Sequence, residues 1–139
     1  MGARLSAGGF GLAYLGAIVA LGVLDGVWLG LVATDLYKRE MGALMAPSFR
    51  LWTAGLFYIL YPLAVVYLCV HVRPASAWEA VARGAVLGAA AYGAYNLTNA
   101  SVIKGWPMSL LAIDWSWGIA VTAAGAAAAW WAAWGRSRG

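Results

Sequence analysis

A carboxylate, Asp25, stands inside an apolar run from Phe10 to Val32 that is otherwise almost entirely hydrophobic, Gly or Ala. A helix of about 20 apolar residues is long enough to span a bilayer. An ionisable group inside such a span costs roughly 2.5–3.5 kcal/mol on insertion scales, so it normally faces a protein interior or a hydrated cavity. The run therefore predicts a membrane-embedded helix that directs Asp25 away from lipid.

The composition predicts an integral membrane protein. Of the 139 residues, 64% are hydrophobic and only 10% are charged, whereas soluble domains carry about 25% charged residues. A soluble core of this size could not enclose so much apolar surface. The net charge of +4 falls mainly between the apolar runs, which is typical of loops near lipid head groups and gives no indication of nucleic-acid binding.

Four apolar segments predict an all-α fold, a four-transmembrane-helix bundle that forms one integral membrane domain. Polar residues and prolines separate the segments, and proline ends helices because it has no N–H. The connecting loops are too short to form a second domain. The domain covers residues 1–139, and the predicted spans cover about residues 10–36, 51–72, 81–103 and 109–134.

Basic residues near the span ends favour cytoplasmic termini by a small margin. Four spans place both termini on one side, together with five basic residues: Arg4, Arg73, Arg83, Arg136 and Arg138. The opposite side carries four: Lys38, Arg39, Arg50 and Lys104. We therefore expect a multi-pass protein with cytoplasmic termini.

Glycines at four-residue spacing predict close helix packing. Gly22, Gly26 and Gly30 recur in the first span, and Gly84 and Gly88 recur in the third. Such stripes let helix backbones approach closely. The partner helix can belong to the same bundle, to a second copy in a homo-oligomer, or to another membrane protein.

Polar residues within the predicted spans collect toward the end opposite the termini, which predicts an intramembrane pocket there. Asp25 and Asp114 are the candidate catalytic residues, as general acid and base. The candidate ligand-binding residues are Trp28, Tyr58, Tyr61, Tyr95, Asn96, Asn99, Lys104 and Trp117. Tyr95, Asn96 and Asn99 also follow Tyr92 at spacings that place all four on one face of a helix.

The motif Asp-x-x-Trp occurs twice, at Asp25 to Trp28 in the first span and at Asp114 to Trp117 in the fourth. These spans run in opposite directions, and inverted repeats build sites near the midplane of transporters. Bundle packing or chance is the simpler explanation, because the chain contains nine Trp residues.

Several segments together resemble an uncharacterised bacterial family of small predicted membrane proteins, classed as a domain of unknown function. They are Leu24 to Leu29, Tyr37 with Met41-Gly42, Tyr95 to Ala100, Lys104 to Pro107, and Asp114 with Trp117-Gly118. The resemblance implies a four-helix inner-membrane protein, supplies no activity, and favours a role with lipids. In the family pattern an Asp often stands at the position of Asn96, so any role that requires a carboxylate there is in doubt for this chain.

Three functions from different classes remain open. The protein binds or modifies a lipid-like small molecule in the pocket, it is a small proton-coupled transporter acting as a homodimer, or it is a non-catalytic accessory or assembly subunit. The polar residues would also be explained if they only formed interhelical hydrogen bonds that stabilise the bundle. Whether the chain is an enzyme stays undecided. No cofactor is expected, and the single Cys69 and single His71 argue against a metal site.

Overall fold

The computed structural model describes residues 2–135, and within them it contains helices but no β-strand. The apolar runs form long helices because every backbone N–H and C=O inside a membrane must find an internal partner. Two π-helical turns, Trp28–Val32 and Val66–Val70, extend the first and third helices, and a 3-10 turn, Gly42–Leu44, follows the second. The five α-helices are α1 (Ala7–Val27), α2 (Thr34–Met41), α3 (Leu51–Val65), α4 (Ala77–Val102) and α5 (Met108–Trp134).

Three helical segments are long and apolar enough to cross a membrane: Ala7–Val32, Leu51–Val70 and Met108–Trp134. They correspond to the first, second and fourth predicted spans. α4 has 26 residues but lower hydropathy, because it includes polar residues such as Asn96 and Asn99. The all-helical membrane fold is therefore confirmed, and the third of the four spans stays a prediction.

The first predicted span, 10–36, is longer than the helix that the structure contains. The π-helical turn ends at Val32, and α2 begins as a separate helix at Thr34. The Ala33 N–H donates to the Trp28 carbonyl at 2.7 Å, and the Thr34 hydroxyl donates to the Leu29 carbonyl. These bonds close the π-helical turn and connect it to α2.

The N-terminal segment and the α3–α4 connection meet at one end of the bundle, which we call the amino-terminal end. The Leu5 N–H donates to the His71 carbonyl at 3.0 Å, and the Arg73 N–H donates to the Ala3 carbonyl at 2.8 Å. The opposite end, which we call the α2 end, carries α2 and the α4–α5 connection. There the Ser109 hydroxyl donates to Glu40 Oε2 at 3.0 Å and connects α5 to α2.

The two glycine stripes behave differently. A Cβ on Gly88 would lie 2.5 Å from the Gly118 carbonyl oxygen, and one on Gly84 would lie 2.8 Å from the Thr122 carbonyl oxygen. α4 and α5 are therefore in near backbone contact. By contrast, a Cβ on any glycine of the first-span stripe, Gly22, Gly26 and Gly30, would meet nothing within 4 Å. This stripe therefore does not pack inside the bundle, and packing against a second copy or another membrane protein stays a prediction.

The contrast between the stripes generates a stability prediction. Gly88→Ala should lower the free energy of unfolding by about 1–3 kcal/mol, because the new methyl group overpacks the α4–α5 contact. Gly26→Ala is the matched control, since the same intrinsic gain in helix propensity acts without a steric conflict. Thermal unfolding in detergent should give a lower Tm for Gly88→Ala only. Equal Tm values would contradict the close α4–α5 contact.

Candidate functional site

Asp25 lies on the inward face of α1, where only 6% of the residue is exposed. Its Oδ2 accepts a hydrogen bond from the Tyr58 hydroxyl at 2.9 Å, and its Oδ1 accepts one from Trp117 Nε1 at 2.8 Å. Tyr58 belongs to α3 and Trp117 to α5. This one carboxylate therefore connects three helices.

Asp114, on α5, forms an equivalent centre and is 8% exposed. Its Oδ1 accepts a hydrogen bond from the hydroxyl of Tyr37 on α2, and its Oδ2 accepts one from Asn96 Nδ2 on α4 at 2.7 Å. The Asn96 amide also donates to the Tyr92 carbonyl at 3.0 Å, which fixes the direction of the side chain. The second carboxylate thus connects α5 to the two helices that Asp25 does not reach.

Two stacked indole rings join the carboxylate centres. The rings of Trp28 and Trp117 are nearly parallel, with an interplanar angle of 7° and centroids 4.4 Å apart. Trp117 is the donor to Asp25 and lies three residues after Asp114 on α5, whereas the Trp28 indole N–H forms no hydrogen bond to any described residue. The two Asp-x-x-Trp motifs are therefore packed against each other, in helices that run in opposite directions.

Local irregularities in the helices accompany this arrangement. The π-helical turn that begins at Trp28 adds a residue to the turn and changes which side chains face inward; such turns are frequent at functional sites. Pro62, inside α3, removes the N–H that would bond the Tyr58 carbonyl. The Tyr14 hydroxyl donates to the neighbouring Ile59 carbonyl at 3.1 Å and connects α1 to this part of α3.

A cavity of about 320 Å³ lies beside both carboxylates. It lies between α3 and α4, whose backbones come close at the π-helical turn that follows α3 but hardly along α3 itself. The rings of Tyr61 on α3 and Tyr92 on α4 still meet, with centroids 6.2 Å apart. Eight of the twelve lining residues are aromatic, and the full lining comprises Asp25, Trp28, Leu29, Tyr37, Phe57, Tyr58, Tyr61, Ala91, Tyr92, Tyr95, Asp114 and Trp117. The site is thus an aromatic chamber with two acidic groups in its wall.

The structure brings most of the ten predicted site residues together. Seven line the cavity: Asp25, Trp28, Tyr58, Tyr61, Tyr95, Asp114 and Trp117. Asn96 is fully buried and supports Asp114 from α4. Asn99 and Lys104 do not line the cavity, and Lys104 is exposed at the α2 end. The functional roles of all ten residues stay predictions.

Sequence reasoning missed three aromatic members of the lining, Tyr37, Phe57 and Tyr92. The helical spacing of Tyr92 from Tyr95 was a usable signal, whereas Phe57 does not stand out in an apolar helix. Tyr37 lies just past the predicted end of the first span, residue 36, and the candidate pocket residues did not include it. Burial, and then the Asp114 carboxylate that accepts its hydrogen bond, raise the pKa of the Tyr37 hydroxyl above its ordinary value, so it stays a donor at neutral pH.

The residues that the structure describes, 2–135, contain no group of three or more His, Cys, Asp or Glu side chains placed to hold a metal ion. The polar groups of the cavity can instead orient a bound molecule or exchange protons with it. These features define a helical membrane protein with a buried acidic, aromatic chamber.

The chain belongs to the family described as "Predicted membrane protein (DUF2177)", which matches residues 10–131. The function of that family is unknown. The resemblance inferred from the sequence is thus confirmed at the level of the family. Comparison with curated proteins and comparison with solved structures each found no match.

The Asp114 centre predicts a stability defect for Tyr37→Phe. Loss of the hydroxyl leaves a buried carboxylate oxygen without its donor, which should cost about 1–3 kcal/mol of unfolding free energy. Tyr67→Phe is the control, because Tyr67 is an exposed side chain whose ring packs on His71. Denaturant titration in mixed micelles measures both variants. Equal stabilities would indicate that the Tyr37–Asp114 hydrogen bond contributes nothing.

Proposed function

We propose that this membrane protein binds a lipid-like small molecule in the chamber between α3 and α4. The observation that carries the proposal is an open space beside two buried carboxylates. Protein interiors are normally close-packed. Hydrogen bonds that only held the helices together would need no open space beside the carboxylates. At about 320 Å³, the volume falls within the usual range of small-molecule sites, about 300–1,000 Å³.

The position of the chamber supports entry from the membrane. Its walls include Phe57 and Tyr61 from α3 and Tyr95 from α4, and the backbones of these two helices do not come close at this level. α3 is a candidate span, so a gap along its side faces the hydrocarbon region. A molecule with an apolar chain could reach the carboxylates through this gap without crossing water.

We infer that α4 is the fourth transmembrane helix. Gly84, Gly88 and Gly93 each place α4 against α5, at Ala126, Gly118 and Trp115 respectively. α5 is a candidate span. Because α4 packs along α5 at these three glycines, α4 would cross the membrane beside it. Its buried polar residue Asn96 faces Asp114 rather than lipid, which explains how a helix of lower hydropathy can span.

Localisation follows from the same inference. Four spans in an inner membrane place the amino-terminal end in the cytoplasm if Arg4, Arg73 and Arg83 decide the orientation. Arg136 and Arg138, which contribute to the predicted charge bias, lie outside the described residues. The α2 end, nearest the chamber, would then face outward.

Cysteine labelling tests the fourth span and the orientation. In spheroplasts, a membrane-impermeant maleimide should label Lys104→Cys, and should label Ala75→Cys only after permeabilisation. Both residues are exposed, whereas the native Cys69 is buried, so the wild-type protein is the unlabelled control. Labelling of both variants from the same side would exclude α4 as a span. A reversed pattern would keep the span and overturn the orientation.

Two alternatives stay predictions. A proton-coupled transporter would use the same carboxylates, and an accessory or assembly subunit would use a helix face instead. The exposed stripe of Gly22, Gly26 and Gly30 is the surface on which a second copy or a partner helix would pack. Membrane lipid is the partner that the chamber itself supports.

A cavity-filling substitution tests the proposed function. Ala91→Phe adds a ring inside the chamber and should abolish retention of any molecule that copurifies with the wild-type protein. Ala94→Phe adds the same ring to an exposed position of α4 and is the matched control. Lipidomic analysis of protein purified in mild detergent measures the bound molecules. Retention of the same molecule by both variants would place the binding site elsewhere.

A further inference from the structure

The chamber combines two acidic groups with aromatic walls and has no basic side chain in its lining. We propose that the head group of the bound molecule is a cation, an alkylated amine or quaternary ammonium on an apolar chain. This inference rests on the proposed function, and it specifies the chemical class of the ligand.

The first argument for a cationic head group comes from the hydrogen bonds of the two carboxylates. Each of the four carboxylate oxygens accepts a bond from a neutral donor: Tyr58, Trp117, Tyr37 or Asn96. Trp117 Nε1 and Asn96 Nδ2 can only donate, so each carboxyl group accepts at least one of its bonds from a group that carries no charge. The donors position both groups and bring no positive charge.

The second argument for a cationic head group concerns the charges around Asp25 and Asp114. The ion pairs within residues 2–135 are Arg39–Glu40 and Arg83–Glu79, and neither includes Asp25 or Asp114. Buried carboxylates without a counter-charge are costly in a low-dielectric environment. A cation that entered the chamber would supply the missing charge, so binding would be favoured by electrostatics as well as by apolar contact.

The third argument for a cationic head group comes from the aromatic side chains that line the chamber. The faces of aromatic rings attract cations, and aromatic cages are the usual recognition sites for quaternary ammonium groups. Here the stacked Trp28 and Trp117 stand beside Asp25. Elsewhere in the lining, the Tyr61 ring stacks on Phe57 and meets the Tyr92 ring edge-on. A trimethylammonium-sized group between these rings would contact aromatic faces while it remained close to a carboxylate.

The placement of Lys104 and Asn96 argues against an anionic head group. Lys104, the basic residue expected to meet a phosphate or carboxylate, is exposed and outside the chamber. The amide oxygen of the fully buried Asn96 forms no hydrogen bond to any described residue. It therefore adds a further acceptor next to Asp114 and no donor for an anion, and the two acidic groups of the lining would repel an anion.

Three amphiphiles with the same twelve-carbon chain test the proposal: dodecyltrimethylammonium, dodecanol and dodecanoate. The full-length protein in dodecyl maltoside micelles is titrated with each at neutral pH, with binding followed by calorimetry and native mass spectrometry. The cation should bind at least about tenfold more tightly than dodecanol, and dodecanoate should bind most weakly. Tetramethylammonium, the same head group without the chain, should bind more weakly than dodecyltrimethylammonium; equal binding would overturn the requirement for an apolar chain.

The variants assign the preference to the chamber. Asp25→Asn should remove most of the difference between the cation and dodecanol while dodecanol still binds. Asp35→Asn, which neutralises an exposed acid on α2, is the control and should keep the wild-type preference. If Asp25→Asn does not fold, the wild-type comparison of the three amphiphiles still decides the question.

The outcomes separate this inference from the proposed function. Equal affinities for the cation and dodecanol in the wild-type protein would overturn the cationic assignment and leave the lipid-like ligand intact. Absence of binding by all three amphiphiles would contradict both. A cation preference that survives in both Asp25→Asn and Asp114→Asn would place the source of the preference outside the chamber, and the proposal would be wrong.

Discussion

The fold depends on two buried carboxylates that between them contact all five α-helices. Asp25 connects α1 to α3 and α5, and Asp114 connects α5 to α2 and α4. Inside a membrane the hydrophobic effect does not drive helices together, so interhelical hydrogen bonds and close packing must do so. Each such bond contributes only about 0.6 kcal/mol to stability on average. A buried carboxylate that loses a donor is costly, however, so each donor of the network matters for the stability of the fold.

Packing is tight on one side of this network and loose on the other. α4 and α5 approach at Gly84 and Gly88, and a Cβ on Gly118 would meet the Tyr92 ring at 2.0 Å. The backbone of α3 instead comes close to α4 mainly at the π-helical turn that follows α3. The closely packed α4–α5 pair thus holds Asn96 and Asp114 in place, while the separation of α3 from α4 leaves the space in which the proposed ligand would bind.

Much of the candidate site could be predicted because the cost of a polar group in lipid is a local property of the sequence. Asp25, Asp114 and Asn96 interrupt apolar runs, so each had to face protein, and all three do. Asn99 was chosen by the same reasoning but does not line the chamber, because helix rotation decides which of several polar side chains faces inward. Lys104 lies in the exposed turn after α4, beyond the helix that would have directed it inward. Tyr37 was missed because it lies just beyond the predicted first span, in the short helix α2 that hydropathy does not reveal.

By itself the sequence determined a helical membrane protein, the approximate limits of its long helices, and the need to shelter its acidic groups, because hydropathy acts over neighbouring residues. Only the tertiary structure decided that Trp117 bonds Asp25, 92 positions away in the chain, and that the Gly22, Gly26 and Gly30 stripe faces outward. It also decided that a chamber remains between α3 and α4. These features depend on the rotation and crossing of whole helices, which arise from many side-chain contacts made at once.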